Sequence, residues 1–263
     1  MSQPNLETLV EIALEAGAAI MPHYETGGDA KEKADGSPVT VADEAAEEII
    51  LKRLVDAGAD NIVAEEAMAA GKMPPPAEVF YLVDPLDGTR EFISKNGEFT
   101  VNIARIEGGV PVAGVVYAPA INVIYAGDST GAWRATVTEG VLGPREPITV
   151  AKPEDAVRVV ASRSHLTDET KEFIDRYKVE SFVSSGSSLK FCRVAEAAAD
   201  LYPRMGRTME WDTAAGHAVL KAAGGEVYTL NGSPLAYGKR EGDTFANPHF
   251  VAAGAFDPFA ITA

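Results

Sequence analysis

Apolar positions recur at helical spacing from Asn5 to Tyr24. Leu6, Leu9, Val10, Ala13, Leu14, Gly17 and Ile20 fall on one stripe, which predicts an amphipathic helix closed by Gly27-Gly28. A second helix is predicted over Val41–Ala57, where Thr40 is a good N-cap and Asp43 stands in the capping-box position. Between them, Asp29–Pro38 carries five charges in ten residues and has little to bury. It reads as a mobile loop, and beside an active site it would serve as a lid.

The pattern then changes to strand-length runs. Asn61–Ala64 is a short apolar strand ending in Glu65-Glu66, and Met68–Ala77, with three consecutive prolines, reads as a loop. Val79–Val83 is a strand that stops at Asp84; Pro85 and Asp87 follow, and Gly88-Thr89 opens a short helix. Phe99–Ile106, Val112–Tyr117, Val123–Ala126 and Ala132–Val137 alternate or run apolar at strand length, and Pro147–Val150 reads as an edge strand. This is an antiparallel meander behind two helices.

Past Ala151–Asp155 the strands Val157–Ala161, Ser181–Ser185, Leu201–Arg204 and Gly225–Leu230 alternate with helices. The helices are predicted at Asp168–Tyr177, within Gly186–Asp200 and at Trp211–Ala223. Such alternation predicts βαβ-type units and a mixed, largely covered sheet. The fold class is therefore α+β over residues 1–150 and α/β over residues 151–263. With no flexible linker near residue 150, the two parts are expected to pack as layers.

Composition narrows the function. The 263 residues are 46% hydrophobic and 24% charged, with a net charge of −16. That charge repels nucleic-acid polymers and anionic membranes, but bound cations would still admit a small anionic substrate. Cys192 is the only cysteine, so no intramolecular disulfide forms, which fits a reducing compartment. Glu7, Glu11 and Glu15 interrupt the N-terminal apolar positions, against a signal peptide, and no run is long enough to span a bilayer. Patterns for thiol redox, zincin and serine-hydrolase chemistry are absent.

Acids stand at the ends of regular elements in four places: Asp43, Glu65, the pair Asp84/Asp87, and Asp212 at the start of the helix W-D-T-A-A-G-H. Each has a plain structural explanation. Asp43 and Asp212 are first-turn acids, and Asp-Pro and Asp-Gly are ordinary turns. Carboxylates are also the ligands that Mg2+ prefers, and the N–H groups after Asp87 lie where an anion binds. Small residues Ala214, Ala215 and Gly216 allow the last of these helices a close approach to a neighbour.

Taken in order, Glu65-Glu66, Asp84-Pro85-Leu86-Asp87-Gly88-Thr89 and Trp211-Asp212-Thr213-Ala214-Ala215-Gly216 resemble the inositol monophosphatase superfamily over nearly the whole chain. These are Mg2+-dependent, lithium-sensitive phosphatases. Asp87–Ala104, Gly186–Cys192 and Leu201–Arg204 look most like its 3′(2′),5′-bisphosphate nucleotidase branch, the CysQ type, tied to sulfur assimilation. The resemblance implies a layered α-β-α-β-α sandwich. It implies Glu65, Asp84 and the Leu86 carbonyl on one Mg2+, and Asp84, Asp87 and Asp212 on a second. A third, weaker ion would lie near Glu65. Thr89 and Asp43 would orient and deprotonate the attacking water, with Glu65 beside it, and the Gly88 and Thr89 N–H groups would hold the scissile phosphate.

Substrate contacts are expected from Glu65, Leu86, Asp87, Gly88, Thr89 and Asp212. Ser187, Ser188, Lys190 and Arg204 would hold the second phosphate, with Arg163 and His165 as weaker candidates. Ala64 departs from the Gly or Ser usual before Glu65. Trp211 and Cys192 are expected in the core. The implied reaction is hydrolysis of adenosine 3′,5′-bisphosphate to AMP and phosphate by a metal-activated water in line. The alternatives are an inositol monophosphatase or sugar-phosphate phosphatase, and a catalytically idle phosphate sensor. The resemblance further implies a cytoplasmic enzyme, with the inner face of the plasma membrane as the other location, and admits a homodimer.

Overall fold

The N-terminal stripe folds as α1, Leu6–Thr26, and Asn5 caps it by accepting the Thr8 N–H at 3.0 Å. The computed structural model describes residues 3–27, 30–32, 38–161, 167–239 and 245–260. Strand β1, Ala30–Glu32, pairs antiparallel with β2, Pro38–Thr40. The segment expected as a loop therefore has a paired strand at each end. Asp29 and residues 33–37, and with them the expected lid, lie outside the described residues, as do Arg163 and His165. Helix α2, Val41–Asp56, begins at the predicted capping box. The Asp43 Oδ2 accepts the Thr40 N–H at 2.8 Å and its hydroxyl at 2.6 Å.

Strand β3, Ile62–Ala64, runs directly into a five-residue helix, α3, Glu65–Ala69, where only a strand end and a loop were expected. Strand β4, Val79–Asp87, also outruns its expected stop at Asp84. Pairing resumes at Asp87 after a register shift between Asp84 and Asp87, because Pro85 has no N–H to give the ladder. A short α4, Thr89–Ile93, follows. The meander then runs β5 (Thr100–Glu107), β6 (Val110–Ala118), β7 (Val123–Asp128), β8 (Gly131–Thr138), β9 (Val141–Leu142) and β10 (Glu146–Ile148). The first sheet has the order β10-β8-β7-β6-β5-β4-β3, with β9 paired to β8. Its pairs are antiparallel except β3 with β4.

The rest of the chain forms β11 (Val157–Ala161), α5 (Asp168–Ile174), β12 (Val179–Ser184), α6 (Leu189–Ala195), β13 (Leu201–Arg204), α7 (Glu210–Ala222), β14 (Glu226–Thr229) and β15 (Phe250–Ala253). The second sheet has the order β12-β11-β13-β15-β14. Its first three strands are parallel and the last two pairings antiparallel, so it is mixed as expected. The predicted helix over Gly186–Asp200 shortens to α6, because Ser187 adopts a left-handed conformation, φ 46°, ahead of it. Strand β15 was not foreseen.

Both faces of the first sheet are buried. Val83, Ile103 and Val115 face α1 and α2 through Leu9, Ile12, Ile50 and Leu54. Their neighbours Leu82, Ala104 and Val116 belong to a second core shared with Phe191, Leu220, Tyr202 and Phe250. Helices α6 and α7 lie in this second core, between the sheets, and α5 covers the outer face of the second sheet with Phe173 and Ile174. The layers are thus α-β-α-β-α, and each fully buried Leu, Ile or Phe stabilises them by roughly 1.5–3 kcal/mol. Helix α7 lies nearly backbone to backbone on the first sheet. A Cβ on Gly114 would stand 2.7 Å from the Ala215 carbonyl oxygen, and one on Gly127 would stand 2.7 Å from the Ala222 Cβ. The small residues of α7 are the other half of this contact. Among the described residues no helix is long and apolar enough to cross a membrane.

Candidate active site

The bulge in β4, the start of α3 and the first turn of α7 converge on one cleft. Its lining mixes the acids Glu65, Asp87 and Asp212 with the cations Arg90, Lys190 and Arg204. Gly88, Thr89 and Ser187 also line it. Asp84 is buried at 2% exposure, yet the charges of Glu65, Asp87 and Asp212 all act on it, so the four acids form one group.

Two of the acids are steered by the backbone of their own turns. The Asp84 Oδ1 accepts the Leu86 N–H at 3.0 Å across the proline turn. The Asp212 Oδ2 accepts the Met209 N–H at 2.8 Å in the first turn of α7. Each bond engages one oxygen of the carboxylate. Asp87 lies 3.5 Å from the Asn102 Nδ2, and Asn102 is itself fully buried. Gly88, at φ 94°, turns the chain from the strand into α4, and a Cβ there would meet the Ser187 Oγ at 2.1 Å. Only glycine satisfies both demands.

The electrostatics are those of a cation site. Burial first, then Glu65, Asp87 and Asp212, push Asp84 well above the ordinary carboxylate range. Burial, then Asp87 and Glu65, do the same to Asp212. Asp87 is raised by burial, although Lys190 and Ser188 pull it down. Carboxylates crowded in this way are satisfied by hard, oxygen-seeking cations, so the donor set fits Mg2+. Among the described residues no group of three or more His, Cys, Asp or Glu side chains forms a ready cage.

Burial lowers Lys190 to about 8, with Asp87 pulling it up and Arg204 pushing it down. Its ammonium stands over the Tyr202 ring, 5.7 Å from the centroid. The Arg204 Nε is buried without a hydrogen-bond partner among the described residues. Both cations are therefore placed for an anion that the four acids alone would repel.

Several expected site residues are placed differently. Asp43 is buried in its capping box and is absent from the cleft lining, although α4 packs on β2 and brings the start of α2 close. The Ser187 hydroxyl lies 2.8 Å from the Asp87 carbonyl and 2.7 Å from that of Glu98, and donates there. Ser188 is buried, its hydroxyl donating to the Asp212 carbonyl at 2.6 Å. Trp211 is 7% exposed against Phe245, and Cys192 is buried and free, both as expected. Three polar residues were missed from sequence: Asn102, Thr213 and Asn247. The Asn247 Nδ2 donates to the Met209 carbonyl at 2.7 Å and to the Thr213 Oγ1 at 3.0 Å, clamping the first turn of α7. No local signal marks these residues, because their partners are tens of residues away.

Comparison with known proteins agrees with this geometry. The sequence profile described as "Inositol monophosphatase family" matches residues 1–255. The chain belongs to the inositol monophosphatase family. Within the family it is 46% identical to the 3′(2′),5′-bisphosphate nucleotidase CysQ of Escherichia coli K12, over 93% of this chain and 98% of that protein. It is 41% identical to the protein of the same name from Buchnera aphidicola, over 94% and 93%. The crystal structure of CysQ from Bacteroides thetaiotaomicron superposes with a TM-score of 0.80 at 40% identity, covering 97% of this chain and 98% of that one. An inositol monophosphatase structure from Anabaena gives 0.73 at 26% identity, covering 96% and 92%. The family is Mg2+-dependent, in keeping with the all-carboxylate donor set.

Proposed function

We propose that the chain is a Mg2+-dependent 3′(2′),5′-bisphosphate nucleotidase that converts adenosine 3′,5′-bisphosphate to AMP and phosphate. The observation that carries this reading is the end-to-end likeness to CysQ. The cleft supports it by lining itself with Lys190 and Arg204 as well as the acids, since a second phosphate requires cations. Glu65, Asp84, the Leu86 carbonyl, Asp87 and Asp212 are the proposed Mg2+ ligands, with Asp84 shared between two ions and a third near Glu65. Bound there, Mg2+ supplies charge screening and a lowered water pKa.

The chain itself does the positioning. The Gly88-Thr89 turn presents N–H groups to the scissile phosphate at a helix start, where such donors have no intrahelical acceptor. Thr89, on the cleft lining, and Asp43, at the nearby start of α2, would together orient and deprotonate the attacking water. As the water oxygen bonds to phosphorus, the bond from phosphorus to the 3′-oxygen breaks in line. The electron pair leaves with that oxygen, which then gains a proton. Lys190 and Arg204 hold the remaining phosphate, while the Ser187 hydroxyl stays committed to the Asp87 and Glu98 carbonyls. A cytoplasmic location suits the single, buried thiol. Nothing in the described residues supports the inner face of the membrane, and the proposal leaves that location out.

The test is phosphate release from adenosine 3′,5′-bisphosphate, inositol 1-phosphate and fructose 1,6-bisphosphate at saturating Mg2+. The expected result is a kcat/KM at least about tenfold higher for the nucleotide. Preference for inositol 1-phosphate or the sugar would transfer the site to that substrate. Binding without release would make the chain a sensor.

A further inference from the structure

Two polar side chains, Asn102 and Ser188, are buried beside the acids and bonded to each other. Asn102 is 0% exposed and Ser188 1%. Asn102 lies on β5 opposite Asp84 in the ladder. Its Nδ2 donates to the Ser188 Oγ at 3.0 Å, and its second N–H faces the Asp87 Oδ2 at 3.5 Å. The Ser188 hydroxyl has one proton and gives it to the Asp212 carbonyl at 2.6 Å. One amide and one hydroxyl therefore connect the end of β4 with the first turn of α7. Those two elements belong to different layers, 125 residues apart by the numbering of Asp87 and Asp212.

We propose that Asn102 and Ser188 form a clasp that fixes the separation of Asp87 and Asp212, making them positioning residues for the cation these two acids share. The inference rests on the reading of Asp87 and Asp212 as ligands of one ion. Like charges drive the two carboxylates apart, so something must hold their backbones together before a cation arrives. The clasp does this with donors that stay buried throughout. The Asn102 Oδ1 has no hydrogen-bond partner among the described residues. A buried amide is costly with its oxygen unpaired, and Asn102 engages its partners through its nitrogen alone. Hydrogen-bonded supports of this kind typically govern metal affinity by 10- to 100-fold.

The test is calorimetric titration of the full-length protein with Mg2+, in the absence of substrate. Wild type is compared with Ser188→Ala, Asn102→Ala, the double variant and Asp87→Asn. Each single clasp variant is expected to weaken Mg2+ binding by about 10- to 100-fold. The double variant should lose no more than the worse single one, because the clasp acts as a unit. At saturating Mg2+ the KM for the best substrate should stay within about twofold of wild type, and the titration should keep the wild-type stoichiometry, which a misfolded fraction would lower. Should Ser188→Ala not fold, Ser188→Cys keeps the volume with a weaker donor and is expected to fall between. Loss of Mg2+ affinity in Asp87→Asn alone, with both clasp variants binding like wild type, would overturn the clasp and leave the ion assignment standing. Wild-type affinity in Asp87→Asn would overturn the ion assignment and the clasp with it.

Discussion

Asp84, Asp87 and Asp212 have carboxyl groups raised by burial and by one another, and this has a signed consequence for stability. An acid whose folded pKa exceeds its unfolded one stabilises the fold while protonated. That contribution is complete below the unfolded value and is lost as pH rises through the folded one. Mg2+ replaces the lost protons, so it should raise the melting temperature more at pH 7.5 than at pH 5, as a thermal melt with and without EDTA would show. Asp84→Asn or Asp87→Asn removes a repelling charge. The metal-free variant should melt no lower than wild type, yet lose activity by at least about 100-fold. Lys190, near 8, is a cation below that pH and neutral above it. The KM for the bisphosphate should therefore climb above about pH 8 in wild type, and start high and stay flat in Lys190→Gln. These acids were legible in the sequence because each belongs to a local turn with its own residue signature. Asn102 and Ser188 were not legible as partners, since they meet across 86 residues.

At the scale of elements, α2 carries a double burden at its first turn. Asp43 is the capping acid, which alone explains its burial, and its removal costs about 1 kcal/mol. Asp43→Asn is expected to lower kcat by about 100-fold as well. A melting shift with normal kcat would reduce Asp43 to its cap. Long elements with a clear period, such as α1 and the β5–β8 meander, were readable from the spacing of apolar residues. The five-residue α3 and the four-residue β15 were not, because neither is long enough to display a period. Their form comes from packing: β15 is a strand because β13 and β14 flank it. The same holds for α7, whose small residues were visible but whose partners, Gly114 and Gly127, lie about a hundred residues earlier. Gly114→Val should cost about 1–3 kcal/mol of stability by overpacking, measured by urea unfolding.

On the scale of the whole molecule, one core draws on both sheets and on the helices between them. Leu82 and Val116 share it with Phe191, Leu220 and Phe250. Residues 1–150 expressed alone would expose that entire face of the first sheet. They are expected to give no cooperative thermal transition, which calorimetry would check. The layered order could be anticipated from the change of pattern near residue 150, but the depth of the junction could not, since it depends on which faces meet. The glycine seats beneath α7 have a mechanical meaning as well. Gly114 and Gly127 act as notches, and the helix can settle only where Ala215 and Ala222 fall over them. Sliding α7 along its axis would drive larger side chains onto a track cut for backbone. Asp212 is thus registered against the first sheet like a jaw on a fixed gauge.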